Sequence, residues 1–257
     1  MKLSIEVSRD DAKPEQGPAR VGWFLTEEKG AVLFEAPERV ASRGANRAHA
    51  KSAARCPAVV QMESRYFMVR CPYDLHLGFG RDKDGKAVLI NRAGTSSTIR
   101  GNKIAQVVTL VSEAEWRYAD RPTIQLALPY CFIADEPIYL TQLAAFAHYR
   151  TDPLPGTIFG GRFPLHIWPR PLMWAFEWHQ TGKDLVLRRG EPLFYVQFET
   201  HDPARAVQLV EAARTAELMG YINELAAVTN YVNQTFSLFE AAERLRPAKL
   251  LSERIRD

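Results

Sequence analysis

The order of apolar and polar residues divides the 257-residue chain into a long strand-like body and a shorter helix-like end. Alternation at Leu3-Ser4-Ile5-Glu6-Val7 predicts a strand. Val21–Leu25 and Ala31–Phe34 are short apolar runs joined by Thr26-Glu27-Glu28-Lys29-Gly30, a hairpin signature in which Gly30 supplies positive φ. Further strands are expected at Val59–Met62, Tyr66–Arg70, Ala87–Ile90, Lys103–Leu110, Thr123–Leu128 and Pro137–Gln142, with a turn at Asp82-Lys83-Asp84-Gly85. Phe163–Ile167 and Leu172–His179 follow, and the Trp168–Pro171 turn between them predicts that they pair. Thr181–Asp184 reads as a hairpin turn into Leu185–Leu187, and Arg189–Pro192 as a turn into Leu193–Phe198. Leu172, Trp174, Phe176 and Trp178 alternate with Met173, Ala175, Glu177 and His179, so the indoles face a core while Glu177 and His179 share the opposite face.

After Glu199 the period changes. Asp202 suits a helix N-cap and Pro203 the first helical position. Val207, Val210, Leu218, Ile222, Leu225, Val228, Val232, Phe236 and Phe239 keep helical spacing, Gly220 marks a break and Pro247 ends the pattern. The expected fold class is α+β. A mainly antiparallel β body (sandwich, barrel or β-clip-like) spans 1–200, and a helical segment, 201–257, packs on it.

Composition adds bounds rather than an identity. With 46% hydrophobic and 25% charged residues the chain is an ordinary globular one, long enough for a sizeable core. A net charge of +3 is too small to point to nucleic acid by bulk electrostatics. Arg39, Arg43, Arg47, Lys51 and Arg55 nevertheless recur every four residues. On a helix they form one cationic stripe, either a solvated face or an anion contact; a surface loop is the other reading of 38–55. Cys56, Cys71 and Cys131 form neither a disulfide framework nor a zinc spacing, and Cys71 and Cys131 read as buried thiols. MKLSIEVSRDD has no leader-like apolar stretch, and no run reaches 18 apolar residues, so no membrane span is expected and the cytoplasm is.

Pro155-Gly156-Thr157-Ile158-Phe159-Gly160-Gly161-Arg162-Phe163, followed by Leu187-Arg188-Arg189-Gly190-Glu191-Pro192 and the apolar Leu193–Phe198, resembles the closing half of the β-clip domains of dUTPases and dCTP deaminases. The resemblance, over residues 155–198, implies a folded antiparallel β domain. Those families carry an acidic residue beside the Gly-containing turn, whereas Gly156–Gly161 has none. The resemblance therefore brings no nucleotide chemistry to this chain.

Phosphate-loop, dinucleotide, hydrolase-elbow and zinc-protease signatures are absent. Candidate chemistry concentrates in 144–199, which holds three of the five Trp and three of the six His. If the two central strands pair, His166, Glu177 and His179 converge. Two imidazoles and a carboxylate suit a divalent metal (Fe, Mn or Zn), with His148 as an alternate ligand or a catalytic partner of Glu177. Metal-free binding or acid–base use, and a plain solvated sheet face, are the other readings. Arg162, Arg170 and Trp168 are candidate substrate contacts, since Arg170 is held between Pro169 and Pro171 and can clamp a carboxylate or stack on a ring. The function expected is a small-molecule-binding protein or metal-dependent enzyme with its site at 148–179. The alternative is a non-catalytic interaction or structural protein, a phage or assembly component for example, using the C-terminal helices as its contact surface; a homo-oligomer is compatible with either reading.

Overall fold

The computed structural model describes residues 17–27, 32–41, 49, 51–97, 99–229 and 235–255. The strands are β1 (Ala19–Leu25), β2 (Glu38–Arg39), β3 (Tyr66–Arg70), β4 (Leu75–Arg81), β5 (Ala87–Asn91), β6 (Val108–Leu110) and β7 (Thr123–Ile133). They continue as β8 (Ile138–Ala144), β9 (Gly156–Ile158), β10 (Gly161–Pro164), β11 (Pro171–Trp178), β12 (Leu185–Leu187), β13 (Pro192–Thr200) and β14 (Val207–Glu211). The helices are α1 (Pro57–Glu63), α2 (Ile104–Val107), α3 (Ala216–Thr229) and α4 (Thr235–Leu245). The fold is mixed α+β with mostly antiparallel sheets, as the hydrophobic pattern predicts.

The first sheet runs β14-β1-β7-β11-β9, with β6 also on β7; the second runs β10-β8-β13-β3-β2; the third is β12-β4-β5. β7 organises the first sheet, because its 11 residues give β6 the 124–126 stretch and β1 the 130–133 stretch. β11 pairs along Thr123–Cys131. Period-2 alternation then sorts side chains between two cores. Trp23, Tyr130 and Phe132 join Trp174, Phe176, Trp178, Phe194 and Phe198 in the main core. Phe24, Cys131 and Ile133 point the other way, onto Leu218, Ile222 and Leu225 of α3, Ala242 of α4, and Leu250 and Leu251. Each fully buried Phe or Leu contributes roughly 1.5–3 kcal/mol.

The predicted strands at Tyr66–Arg70, Ala87–Ile90, Pro137–Gln142 and Leu193–Phe198 form, with Gly85 and Gly190 at positive φ in the expected turns. Thr123–Leu128 forms and extends to Ile133. Other expectations are corrected. Val59–Met62 lies in α1, started by Pro57 at its first turn, because so short an apolar run does not distinguish strand from helix. Within Lys103–Leu110 only Val108–Leu110 is strand; Ile104–Val107 is helix. β1 does not form a hairpin with the next apolar run: its neighbours are β7 and β14, and residues 32–37 are irregular. Leu3–Val7 and residues 28–31 lie outside the described residues. Leu185–Leu187 is a strand but pairs with β4, so Thr181–Asp184 is a crossover between sheets and not a hairpin turn.

The cationic stripe does not form one helix among the described residues. Arg39 sits in β2 over the Phe67 ring at 5.0 Å and donates to the Glu63 and Val207 carbonyls. Lys51 is in a turn and Arg55 ends a short 3-10 helix; Arg43 and Arg47 lie outside the described residues.

The largest correction concerns 202–215. Val207–Glu211 is a strand, parallel to β1, and helix begins only at Ala216. Arg65, 9% exposed, explains this: its guanidinium donates to the carbonyls of Asp202, Pro203 and Arg205, which are thereby withdrawn from helical bonding. The Asp202 carboxylate accepts from the Ala204 N–H, a local turn rather than a helix cap. Gly220 lies inside α3, and α4 ends at Leu245, just before Pro247. No helix among the described residues is long and apolar enough to cross a membrane.

Candidate functional site

β11 separates the residues expected to converge. Phe163 pairs with Leu140 of β8 in the second sheet, and β11 pairs with β7 and β9 in the first. The predicted pairing of the two central strands is therefore absent. His166 lies in the turn before β11, and Glu177 is six residues beyond Pro171, about 20 Å at strand rise. His166 stacks edge-on against Tyr139, with its Nδ1 buried and unpartnered. Burial holds this imidazole below its ordinary pKa.

Glu177 and His179 do share a face and touch: Nε2 of His179 is 2.7 Å from Oε1 of Glu177. Arg121 reaches the same oxygen at 3.7 Å and lies over the Tyr118 ring at 4.2 Å. Glu177 is 4% exposed, so this is not the solvated face that alternation alone suggests. Its Oε2 is buried without a hydrogen-bond partner. Among the described residues, no group of three or more His, Cys, Asp or Glu could hold a metal ion.

The remaining predicted residues fall in separate places. Arg162 is committed to Glu199 through two bonds of 2.8 and 3.1 Å and lies over Tyr139 at 3.9 Å. His148 lines a cavity of about 540 Å³ with Tyr149, Arg150, Thr157 and Leu193. Arg150 there is already held by Glu191 and the Val186 carbonyl. Trp168 and Arg170 come together, the guanidinium 5.2 Å from the indole centroid, beside a cavity of about 270 Å³ faced by α3.

A larger cleft, about 930 Å³, lies elsewhere and holds none of the predicted site residues. It is lined by Ala87, Val88 and Leu89 of β5, Ile104 of α2, and Val108 and Leu110 of β6, with Lys86, Asn91, Thr109, Ser112 and Glu113 as polar members of the lining. Consecutive residues of β5 and of β6 line it, so both strands present an edge and not a face. Each strand has a neighbour on one side only among the described residues. Asp82 N–H bonds the Lys86 carbonyl, while Ala87 N–H turns outward to the Glu113 carboxylate at 3.0 Å. Alternation turns the Leu89 backbone outward as well. Val111 N–H bonds Thr123 on β7, so the Leu110 backbone faces away from β7. Glu113 is occupied by Arg81 at 2.9 and 3.1 Å, and that contact holds its carboxyl below the usual range. Nothing in the sequence marks this cleft, because no distinctive side chain makes it: it arises where the third sheet meets the edge of the first. Comparisons with protein-family models, curated proteins and solved structures find no match to the chain.

Proposed function

We propose that the protein binds a small, mainly apolar molecule in the cleft between β5 and β6. The observation that carries this reading is the cleft itself: about 930 Å³, with mainly apolar walls broken by Asn91, Thr109 and Ser112, and with the outward backbone groups of Leu89 and Leu110 on its two strand edges. Its size falls within the roughly 300–1,000 Å³ of small-molecule sites, and apolar walls with a few fixed polar groups are their usual construction. Glu113 is spent on Arg81 and Ala87, so the backbone edges orient the ligand. Titration with the fluorophore 1-anilinonaphthalene-8-sulfonate tests this. Ala105 is exposed and lines the cleft, so Ala105→Trp fills it with little effect on the core. Saturable one-site fluorescence in the native protein should disappear in the variant. Equal binding by both proteins rules the cleft out.

The same strand edges favour a second reading, an interaction protein that adds an extended peptide as a strand. A Val/Thr-alternating peptide would bind the cleft, and its alternately N-methylated form would not. The C-terminal helices are weaker candidates for a contact surface, because α3 and α4 turn Leu218, Leu225 and Ala242 into their own chain's core.

A further inference from the structure

We propose a second, independent binding site, for a single-ring aromatic carboxylate, between Arg170 and helix α3. The floor of this site is fixed before any ligand arrives. Trp168 donates its backbone N–H to Pro164 and packs edge-on against Phe239 of α4, centroids 5.1 Å apart. The preceding turn is tied to the helices: the Tyr221 hydroxyl lies 2.6 Å from the Ile167 carbonyl and 2.9 Å from that of Ala242, and Arg246 donates to the His166 carbonyl. Pro169 and Pro171 restrict the backbone on both sides of Arg170.

On this floor Arg170 is exposed, lies over the indole at 5.2 Å, and makes no ion pair or hydrogen bond among the described residues. Its behaviour contrasts with Arg65, Arg81, Arg162, Arg205 and Arg246, each of which donates to carboxylates or carbonyls of the chain. The guanidinium fork thus remains available at the mouth of a cavity of about 270 Å³ lined by Trp168, Pro171, Ile222, Leu225 and Ala226. That volume is just below the range of drug-sized sites, which limits the occupant to about one ring. Apolar walls on both sides take the ring, and the planar fork takes a carboxylate through two parallel bonds. Burial of the ring and the charged pair are both required, so neither acetate nor an uncharged aromatic amide suffices.

The test is calorimetric or ligand-observed NMR titration of the full chain with benzoate, benzamide, acetate and inorganic phosphate. Benzoate should bind once per chain with a Kd on the order of 1 mM, as expected for so small a ligand. Benzamide, acetate and phosphate should each bind about tenfold more weakly or worse. Arg170→Gln should weaken benzoate about tenfold while leaving the fold intact, since the side chain is exposed. Ala226→Met, which fills the cavity from the helix side and spares Arg170, should weaken it as well. Benzoate that fails to bind, or binds Arg170→Gln equally, overturns the site. Phosphate as tight as benzoate, or indifference to Ala226→Met, overturns the ring pocket. The Ala105→Trp variant should bind benzoate normally, which separates this site from the β5–β6 cleft.

Discussion

Replacing Gly156 by Ala tests how closely β9 is packed on β11. A Cβ built at Gly156 stands 1.9 Å from the Glu177 carbonyl oxygen and 2.9 Å from the Phe176 ring. Cβ atoms essentially never approach closer than 3.0 Å, so the oxygen contact demands a separation of about 1.1 Å between two paired backbones. Neither group is a flexible side-chain end. β9 is an edge strand held through Gly156–Ile158, and it is the element that yields. Moving it disturbs the bonds from Phe159 N–H to Ala175 and from His179 and Gln180 N–H to Pro155, at 2.8–2.9 Å. At about 0.5–1.5 kcal/mol per bond, the expected cost is roughly 2–4 kcal/mol. Thermal unfolding followed by tryptophan fluorescence measures it, and at roughly 2–4 °C per kcal/mol the midpoint should fall by about 4–16 °C. Gly182→Ala is the control: nothing lies within 4 Å of its added Cβ, and the change should stay within about 0.5 kcal/mol. If the two variants lose stability equally, the close approach of β9 to β11 is wrong.

Three other outcomes follow from the packing. Burial lowers the His166 pKa, with Arg246 reinforcing the shift. The unfolded chain then takes its proton first as pH drops through about 6.5, so stability complete above that value declines toward pH 5, and His166→Gln should flatten that decline in urea midpoints. Native protein should titrate one thiol with Ellman's reagent and three after denaturation: Cys56 is exposed, Cys71 and Cys131 are buried, and burial pushes the Cys71 thiol up to about 12; rapid reaction of two or more native thiols contradicts this. Tyr221→Phe leaves the Ile167 and Ala242 carbonyls without their shared hydroxyl and should cost about 1–3 kcal/mol by chemical denaturation; an unchanged midpoint would remove the proposed anchoring of the Trp168 turn.

Local pattern determined a good part of this protein. Alternation at Leu172–Trp178 placed Trp174, Phe176 and Trp178 in the core, and all three are 0% exposed. The same alternation put Glu177 beside His179, because residues two apart on a strand project to one side whatever the sheet around them. Turn chemistry located Gly85 and Gly190, whose positive φ is a property of a few neighbouring residues. Tertiary structure decided the rest, because strand partners are chosen by distant segments. Pairing of β10 with β8 and of β11 with β7 sent His166, in the turn between β10 and β11, and Glu177 apart, although these two strands are adjacent in sequence. Arg65 overrode the capping signal at Asp202-Pro203 by taking carbonyls that lie more than 130 residues away. The pairing of Arg170 with Trp168 was legible from their spacing, but the wall that makes a cavity of it comes from α3, some 50 residues later. The cleft between β5 and β6 had no local signal at all, since it is bounded by backbone edges that every strand possesses and that only sheet topology leaves uncovered.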